Sequence, residues 1–435
     1  MRIGFAGLSH LGIVSSVCAA SKGFEVVAYD PDARRCERVG QGVLPIVEPG
    51  LPELLAASRS RLRVTSDPAL LRACSVVVLA SDVPTDAEHR SDLAGIHGLL
   101  ETLQTHAAPE AALVLLSQVP PGFTRAAADA LRAAGPDRPG RLWYQVETLV
   151  FGQAVERGLK PERFIIGCAQ PNDPLPDAYA EYLAAFGCPR LPMRYESAEL
   201  AKIAINMFLV SSLSTANTLS ELCEAIGADW AEIAPALALD RRIGPHAYLK
   251  PGLGVAGGNL DRDLATVSAL AHAHGTEAGV VEAWRINSAH RRQWALALLH
   301  QEVLSRCEHP RIAVWGLAYK PHTASTTDSP AVDLLRSLHP FDVRVYDPCA
   351  TLNGEAGAGA LRQVPSALEA CAGADALAIM TPWPEFSRVP ADVLRTAMRG
   401  RVIIDPFGVL DAASCNERGF RYARLGQPAP AWAVS

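Results

Sequence analysis

Lys202 and Asn206 stand four residues apart in AELAKIAIN, a stretch with helical spacing, so both side chains project from one helix face. An ammonium beside an amide can stabilise a developing alkoxide while the amide orients a hydroxyl or a water. Glu147 follows the apolar run LWYQV, at a strand end, where open α/β sheets place their ligands. A third stretch, PGLGVAGGNLDRDL at residues 251 to 264, is a tight glycine-rich turn beside two acids and an arginine. Its centre is Asn259, whose amide donates and accepts hydrogen bonds but cannot attack a carbonyl as a thiolate does.

These groups need a scaffold, and the chain spells one out. RIGFAG, a glycine-bearing turn, IVSSVCAASKG and EVVAYD read as strand, turn, helix and strand, the start of a doubly wound parallel sheet. CSVVVLASD, ALVLLSQV, RLWYQVE and RFIIGCA continue the alternation, apolar enough to be covered on both faces. From residue 196 to 305 the pattern is helical, and about thirty residues without Pro or Gly predict one long helix at its start. PRIAVWGLAYKP, DVRVYDP, ADALAIMTP and RVIIDP then begin a second, smaller α/β region. The expected fold is α/β, with two Rossmann-like doubly wound domains at 1–195 and 306–435 joined by a long-helix central helical domain at 196–305. The tail GQPAPAWAVS is expected to fray.

The totals narrow the function. With 435 residues, 49% apolar, 20% charged and a formal charge of -6, nothing favours nucleic acid or a membrane surface as a partner. No run reaches the ~18 apolar residues of a membrane span, and MRIGFAGLSHLG lacks the pattern of a signal peptide. Ten cysteines without a CxxC pair argue against zinc or disulfides and for a reducing cytoplasm; no metal is expected.

The cofactor signal is GLSHLG, with Gly7 and Gly12 at the first and third positions of a dinucleotide fingerprint and Ser9 at the second. Asp30 closes the next strand, where an acid accepts from both ribose hydroxyls of NAD and repels a 2′-phosphate. Arg34 and Arg35 keep NADP in view. Leu11, Arg35, Pro84, Thr85 and Gln118 complete the set expected to contact the cofactor.

Taken in order, GLSHLG, VVAYDPDARR, LPIVEPGLPELL, VPTD with SDL, VPPGFT, ETLVFGQA, PERFIIG, AELAKIAIN, DRRIG, GLAYKPHT, VYDP and TPWPEF resemble the UDP-glucose/GDP-mannose dehydrogenase family over nearly the whole chain. The resemblance implies an NAD domain, a helical centre that forms a homodimer, and a C-terminal domain that helps hold a nucleotide sugar. Such enzymes oxidise a primary alcohol twice, through a cysteine thioester. Lys202 and Asn206 match the family's catalytic lysine and asparagine, Asp263 the aspartate that works with lysine and water, and Glu147 the glutamate of thioester formation or hydrolysis. Arg242 matches a substrate-contacting arginine, and Tyr248, Gly254, Gly257 and Lys320 are also expected at the substrate.

The pattern breaks at the glycine turn. Aligned without a gap, Asn259 falls on the nucleophilic cysteine, Gly258 on a serine, Asp261 on a proline and Arg262 on a lysine. Gln118 replaces a common threonine, Thr327 an arginine, and DPFG, with Phe407, lacks another arginine. The expectation is a single two-electron, NAD-dependent oxidation without a thioester. Two alternatives stand beside it: a second oxidation through an aldehyde hydrate, with Glu147 activating water and Asn259 holding the hydrate, and a catalytically silent protein that binds a nucleotide or nucleotide sugar.

Overall fold

Four-residue runs such as VVVL bury every side chain because they lie mid-sheet with helices on both faces. In the computed structural model, which describes residues 1–86, 89–133, 135, 141–352 and 361–428, two units emerge, Met1–Ile205 and Asn206–Ser435. The boundary falls inside the long helix, Tyr195–Ile226. That helix runs uninterrupted until Gly227, whose φ of 84° suits glycine.

The first unit holds eight strands: β1 Arg2–Ala6, β2 Glu25–Tyr29, β3 Leu62–Thr65, β4 Val76–Leu79, β5 Ala112–Leu115, β6 Leu142–Gln145, β7 Phe164–Cys168 and β8 Arg190–Arg194. Their order is β3-β2-β1-β4-β5-β6-β7-β8. The strands predicted from apolar runs are all present. The parallel expectation holds from β3 to β6, but β6 and β7 pair antiparallel. An apolar run reads alike in both directions, so sequence does not reveal this reversal. Helix α1, His10–Ser21, is buried almost all round, in keeping with the absence of charged residues from HLGIVSSVCAAS.

The second unit carries helices Trp230–Leu239, Asn259–His274 and Gly279–Arg292, then a six-stranded parallel sheet. Its strands are β9 Arg311–Trp315, β10 Asp342–Tyr346, β11 Leu361–Gln363, β12 Ala376–Ile379, β13 Val402–Ile404 and β14 Arg421–Ala423, in the order β11-β10-β9-β12-β13-β14. Trp315, Leu377 and Ile403 are fully buried at its centre. Each such side chain contributes about 1.5–3 kcal/mol relative to exposure. Residues 429–435 of the tail predicted to fray lie outside the described residues.

Candidate functional site

In the first unit the loops at the carboxyl ends of β1, β2, β4, β5 and β6 carry the residues expected at the site. Gly7 turns the chain at φ 100° and donates its amide to the Tyr29 carbonyl at 2.8 Å. A Cβ on Gly12 would lie 1.8 Å from the Gly7 oxygen and 2.6 Å from that of Ala80, so only glycine lets α1 pack this closely. Ser9 caps α1 with extended backbone (φ -76°, ψ -172°), which any residue adopts. Its Oγ accepts from the Asp82 amide at 2.8 Å, so the hydroxymethyl group binds the neighbouring loop. The Ser117 Oγ likewise accepts from the Ser81 amide at 2.9 Å, joining the loops after β4 and β5.

Asp30 is buried, its Oδ2 accepting from the Leu8 amide at 2.7 Å and from Arg35 Nη1 at 3.0 Å, its Oδ1 from the Asp32 amide at 2.9 Å. A glycine cradle that a Cβ would fill and an acid at the end of β2 fit a dinucleotide. Leu11 points into the core, leaving only its backbone for a cofactor. Pro84 is exposed, Thr85 bridges Ser91, and Gln118 is half-buried. Sequence reasoning missed Glu48, whose oxygens accept from the Gly152 amide at 3.0 Å and the Ala154 amide at 2.7 Å and meet His10 Nε2 at 3.1 Å. It also missed Glu199, which holds the VPPGFT loop through the amides of Gly122 (2.6 Å) and Thr124 (2.7 Å). The acids in VEPG and AELAK are the only signals of these roles, since their partners are distant in sequence.

Two polar pairs use the predicted catalytic residues, one in each unit. In the first, Lys202 Nζ lies 3.2 Å from Glu147 Oε2, with side chains only 13% and 17% exposed; the other Glu147 oxygen accepts from the Leu149 amide. The pair sets an ammonium beside a carboxylate, and an ammonium is a group that can stabilise a developing alkoxide. In the second unit, Asn206 Nδ2 donates to Asp263 Oδ2 at 2.6 Å, and Arg262 Nε approaches Asp263 Oδ1 at 3.5 Å. Asp263 and Arg262 are buried in the second turn of their helix, so Asp263 is no cap; Gly258, at φ 80°, precedes the helix instead.

The glycine turn is shaped by packing. A Cβ on Gly254 would meet the Ser288 carbonyl at 2.6 Å, and one on Gly257 would strike the Tyr319 ring at 2.5 Å. Both glycines have positive φ, so their expected substrate role is joined by a structural one. Asn259 is the exposed first residue of the helix. Across the turn, the loop bearing Tyr319 and Thr327 holds His322 and Asp328 at φ 62° and 48°. Lys320 Nζ stands 5.5 Å from the Tyr319 ring centroid.

Arg242, 88% exposed, forks onto Asp240 through Nε (3.0 Å) and Nη2 (2.7 Å), and Tyr248 is exposed. Neither is drawn to the Asp263 cluster by any hydrogen bond described. Burial pushes the thiols of Cys18 and Cys371 up to about 12 and those of Cys74, Cys168 and Cys415 to about 11, away from nucleophilic thiolates. Among the described residues no three His, Cys, Asp or Glu side chains form a metal-binding group, and no helix is long and apolar enough to cross a membrane.

Models of the UDP-glucose/GDP-mannose dehydrogenase family match at residues 1–182 (NAD binding domain), 196–289 (central domain) and 313–412 (UDP binding domain). The UDP-glucose 6-dehydrogenase of Pseudomonas aeruginosa is 29% identical over 452 residues, covering 98% of each chain. UDP-glucose 6-dehydrogenase AglM of Haloferax volcanii is 30% identical over 418 residues, 93% of this chain and 96% of that one. The solved UDP-D-ManNAc dehydrogenase from Pyrococcus horikoshii has a TM-score of 0.84 at 25% identity, covering 98% of this chain and 99% of its own.

Proposed function

Since the chain belongs to the UDP-glucose/GDP-mannose dehydrogenase family, and is thereby an NAD-dependent oxidoreductase acting on CH–OH groups, we propose that it takes two electrons from a nucleotide-sugar hydroxyl, foremost the primary alcohol, and stops there. The observation that carries this reading is the contrast between the Asp263 cluster and the turn beside it. Acid, amide and arginine are assembled and buried, while the turn four residues earlier presents Asn259.

Asp263, through a water, would take the hydroxyl proton, and Lys202 would stabilise the alkoxide as it forms. NAD, when bound, supplies the hydride acceptor. The Gly7, Gly12 and Asp30 cradle would hold it, and residues 306–435 would hold the nucleotide sugar. The balance is one alcohol and one NAD⁺ giving one aldehyde, one NADH and one proton; a secondary alcohol would give a ketone. Without a thiol at the turn the aldehyde has no covalent route onward.

The helices of 196–305 would pair two copies. Phe208, Leu222, Ile226 and Leu239 leave large apolar surfaces exposed there, as an unformed homodimer interface would. Arg242 could then serve a partner's substrate, in keeping with its exposure.

The deciding experiment incubates the protein with NAD and a panel of nucleotide sugars and weighs the products. A loss of about two mass units with one NADH supports one oxidation. A gain of about fourteen with two NADH replaces it with the hydrate route, and no NADH on any substrate leaves the silent, nucleotide-binding protein.

A further inference from the structure

The loop after β4 places an acid against the dinucleotide turn. The Asp82 amide donates to Ser9 Oγ at 2.8 Å, and the Asp82 carboxylate turns back so that Oδ2 accepts from the His10 amide at 3.0 Å. His10 is the first residue of α1, so this carboxylate holds one of the helix's four free N-terminal amides. In dinucleotide-binding domains that helix end receives the pyrophosphate. An anion already on the donor competes with the pyrophosphate, and two negative charges within about 4 Å repel strongly where solvent is partly excluded.

The Ser9 departure and Asp82 therefore act together. The hydroxyl that replaces the fingerprint's second glycine fixes the amide of the residue whose side chain covers the helix end. His10 offers no way out, because its ring lies 4.2 Å from that of Phe151 and 3.1 Å from Glu48. The amide becomes available only when the Asp82 side chain rotates away.

We propose that Asp82 occupies the pyrophosphate position of the unliganded protein and that its charge sets the affinity for NAD. This rests on the NAD-dependent reading above. Desolvation raises the Asp82 carboxyl pKa, opposed by His10 and the Ser9 hydrogen bond and reinforced by Glu147. The titratable groups facing it are His10 on α1, with Glu48 behind its ring, and Glu147 after β6, which is paired with Lys202 of the long helix. The sign follows directly. A pyrophosphate disfavours the ionised carboxylate, so NAD binding takes up a proton, is tightest at low pH, and weakens as pH rises through the raised pKa.

The test is calorimetric titration of NAD into wild type and Asp82→Asn from about pH 4.5 to about pH 8, with proton uptake read from two buffers of different ionisation heat. Asparagine keeps an acceptor for the His10 amide and loses the charge. The expected result is roughly tenfold or more tighter binding at pH 8, with a weaker pH dependence and less proton uptake. Asp82→Ala, tested in parallel, guards against a fold defect in the first variant, and circular dichroism checks both.

Equal affinity and equal pH slope in wild type and both folded variants overturns the proposal, as does an absence of NAD binding in all three. NADH production from the substrate panel is read separately. Tighter binding without turnover upholds Asp82 and sinks the enzymatic reading; turnover with unchanged affinity does the reverse.

Discussion

Gly7 donates to the Tyr29 carbonyl at 2.8 Å, and Gly316 donates to that of Tyr346 at 2.7 Å. The next amide, from Leu8 or Leu317, goes in each case to the aspartate that follows the tyrosine, Asp30 or Asp347, at 2.7 Å. AGLS with AYDP and WGLA with VYDP are thus one device built twice, a glycine turn at the end of a central strand clasped by an acid from its neighbour. The two copies then diverge. After Gly7 the chain enters α1 at once, and Gly12 lets that helix sit on the strand ends. After Gly316 a loop intervenes until the helix Pro330–Ser337. Asp30 accepts two amides and an arginine. Asp347 accepts the amides of Leu317, Ala318, Cys349 and Ala350 and the Trp383 indole, so its oxygens are committed to the fold. A strand-end acid after a glycine turn is therefore architectural in both copies, and only at Asp30 does the helix follow directly and the acid keep capacity to spare.

The largest effect is expected at the point of divergence. Gly12→Ala drives a methyl group into two backbone oxygens, and neither can give way without moving β1 or β4. We expect a loss of about 4 kcal/mol or more, or no folded first unit at all, in urea unfolding followed by circular dichroism. Pro321, five residues after Gly316 as Gly12 is after Gly7, lies in the intervening loop. Pro321→Ala is expected to cost less than about 1 kcal/mol in the same assay. Comparable losses in the two variants would erase the distinction.

Next come the two acids. Asp347→Asn turns an amide group toward donors that need an acceptor and removes a charge serving four backbone N–H groups, so a loss of about 3 kcal/mol is expected. Asp30→Asn disturbs fewer bonds, and we expect about 1–2 kcal/mol together with at least about fivefold weaker NAD binding by calorimetry. Asp347→Asn should leave NAD affinity within about twofold, provided the protein is folded at the assay temperature. The reverse ranking of stability would show that Asp30 is the more structural of the pair.

How much of this was legible depended on whether the cause was local. Both glycine turns, both strand-end acids and the long helix were readable, because each follows from a few consecutive residues: an apolar run, a Gly, a stretch without breakers. The edge strands β3, β8, β11 and β14 were not, because an edge is partly solvated and its pattern is diluted, as in RLPMR with a proline inside. At the site, Lys202, Asn206, Glu147 and Asp263 could be named from their motifs, but their pairing as Lys202 with Glu147 and Asn206 with Asp263 could not. Ser9 was readable only as a crowding hydroxymethyl group. Its actual partner, Asp82, is brought in by the neighbouring strand, a relation that only the sheet order creates.

The smallest effect probes the electrostatic difference between the two acids. Arg35 Nη1 stands 3.0 Å from Asp30 Oδ2 with its side chain 43% exposed, whereas Asp347 meets a neutral indole. Partial neutralisation of Asp30 should blunt its rejection of a 2′-phosphate, so Arg35→Gln should sharpen it. A half-exposed pair is worth about 0.2–1 kcal/mol, which sets the change at roughly twofold to fivefold. NADP affinity should fall by that factor in calorimetry at low salt while NAD affinity moves less, and the gap should shrink as salt screens the acid. If NADP instead binds Arg35→Gln as well as it binds wild type, the arginine serves the turn alone, and the two acids differ only in how many amides they hold.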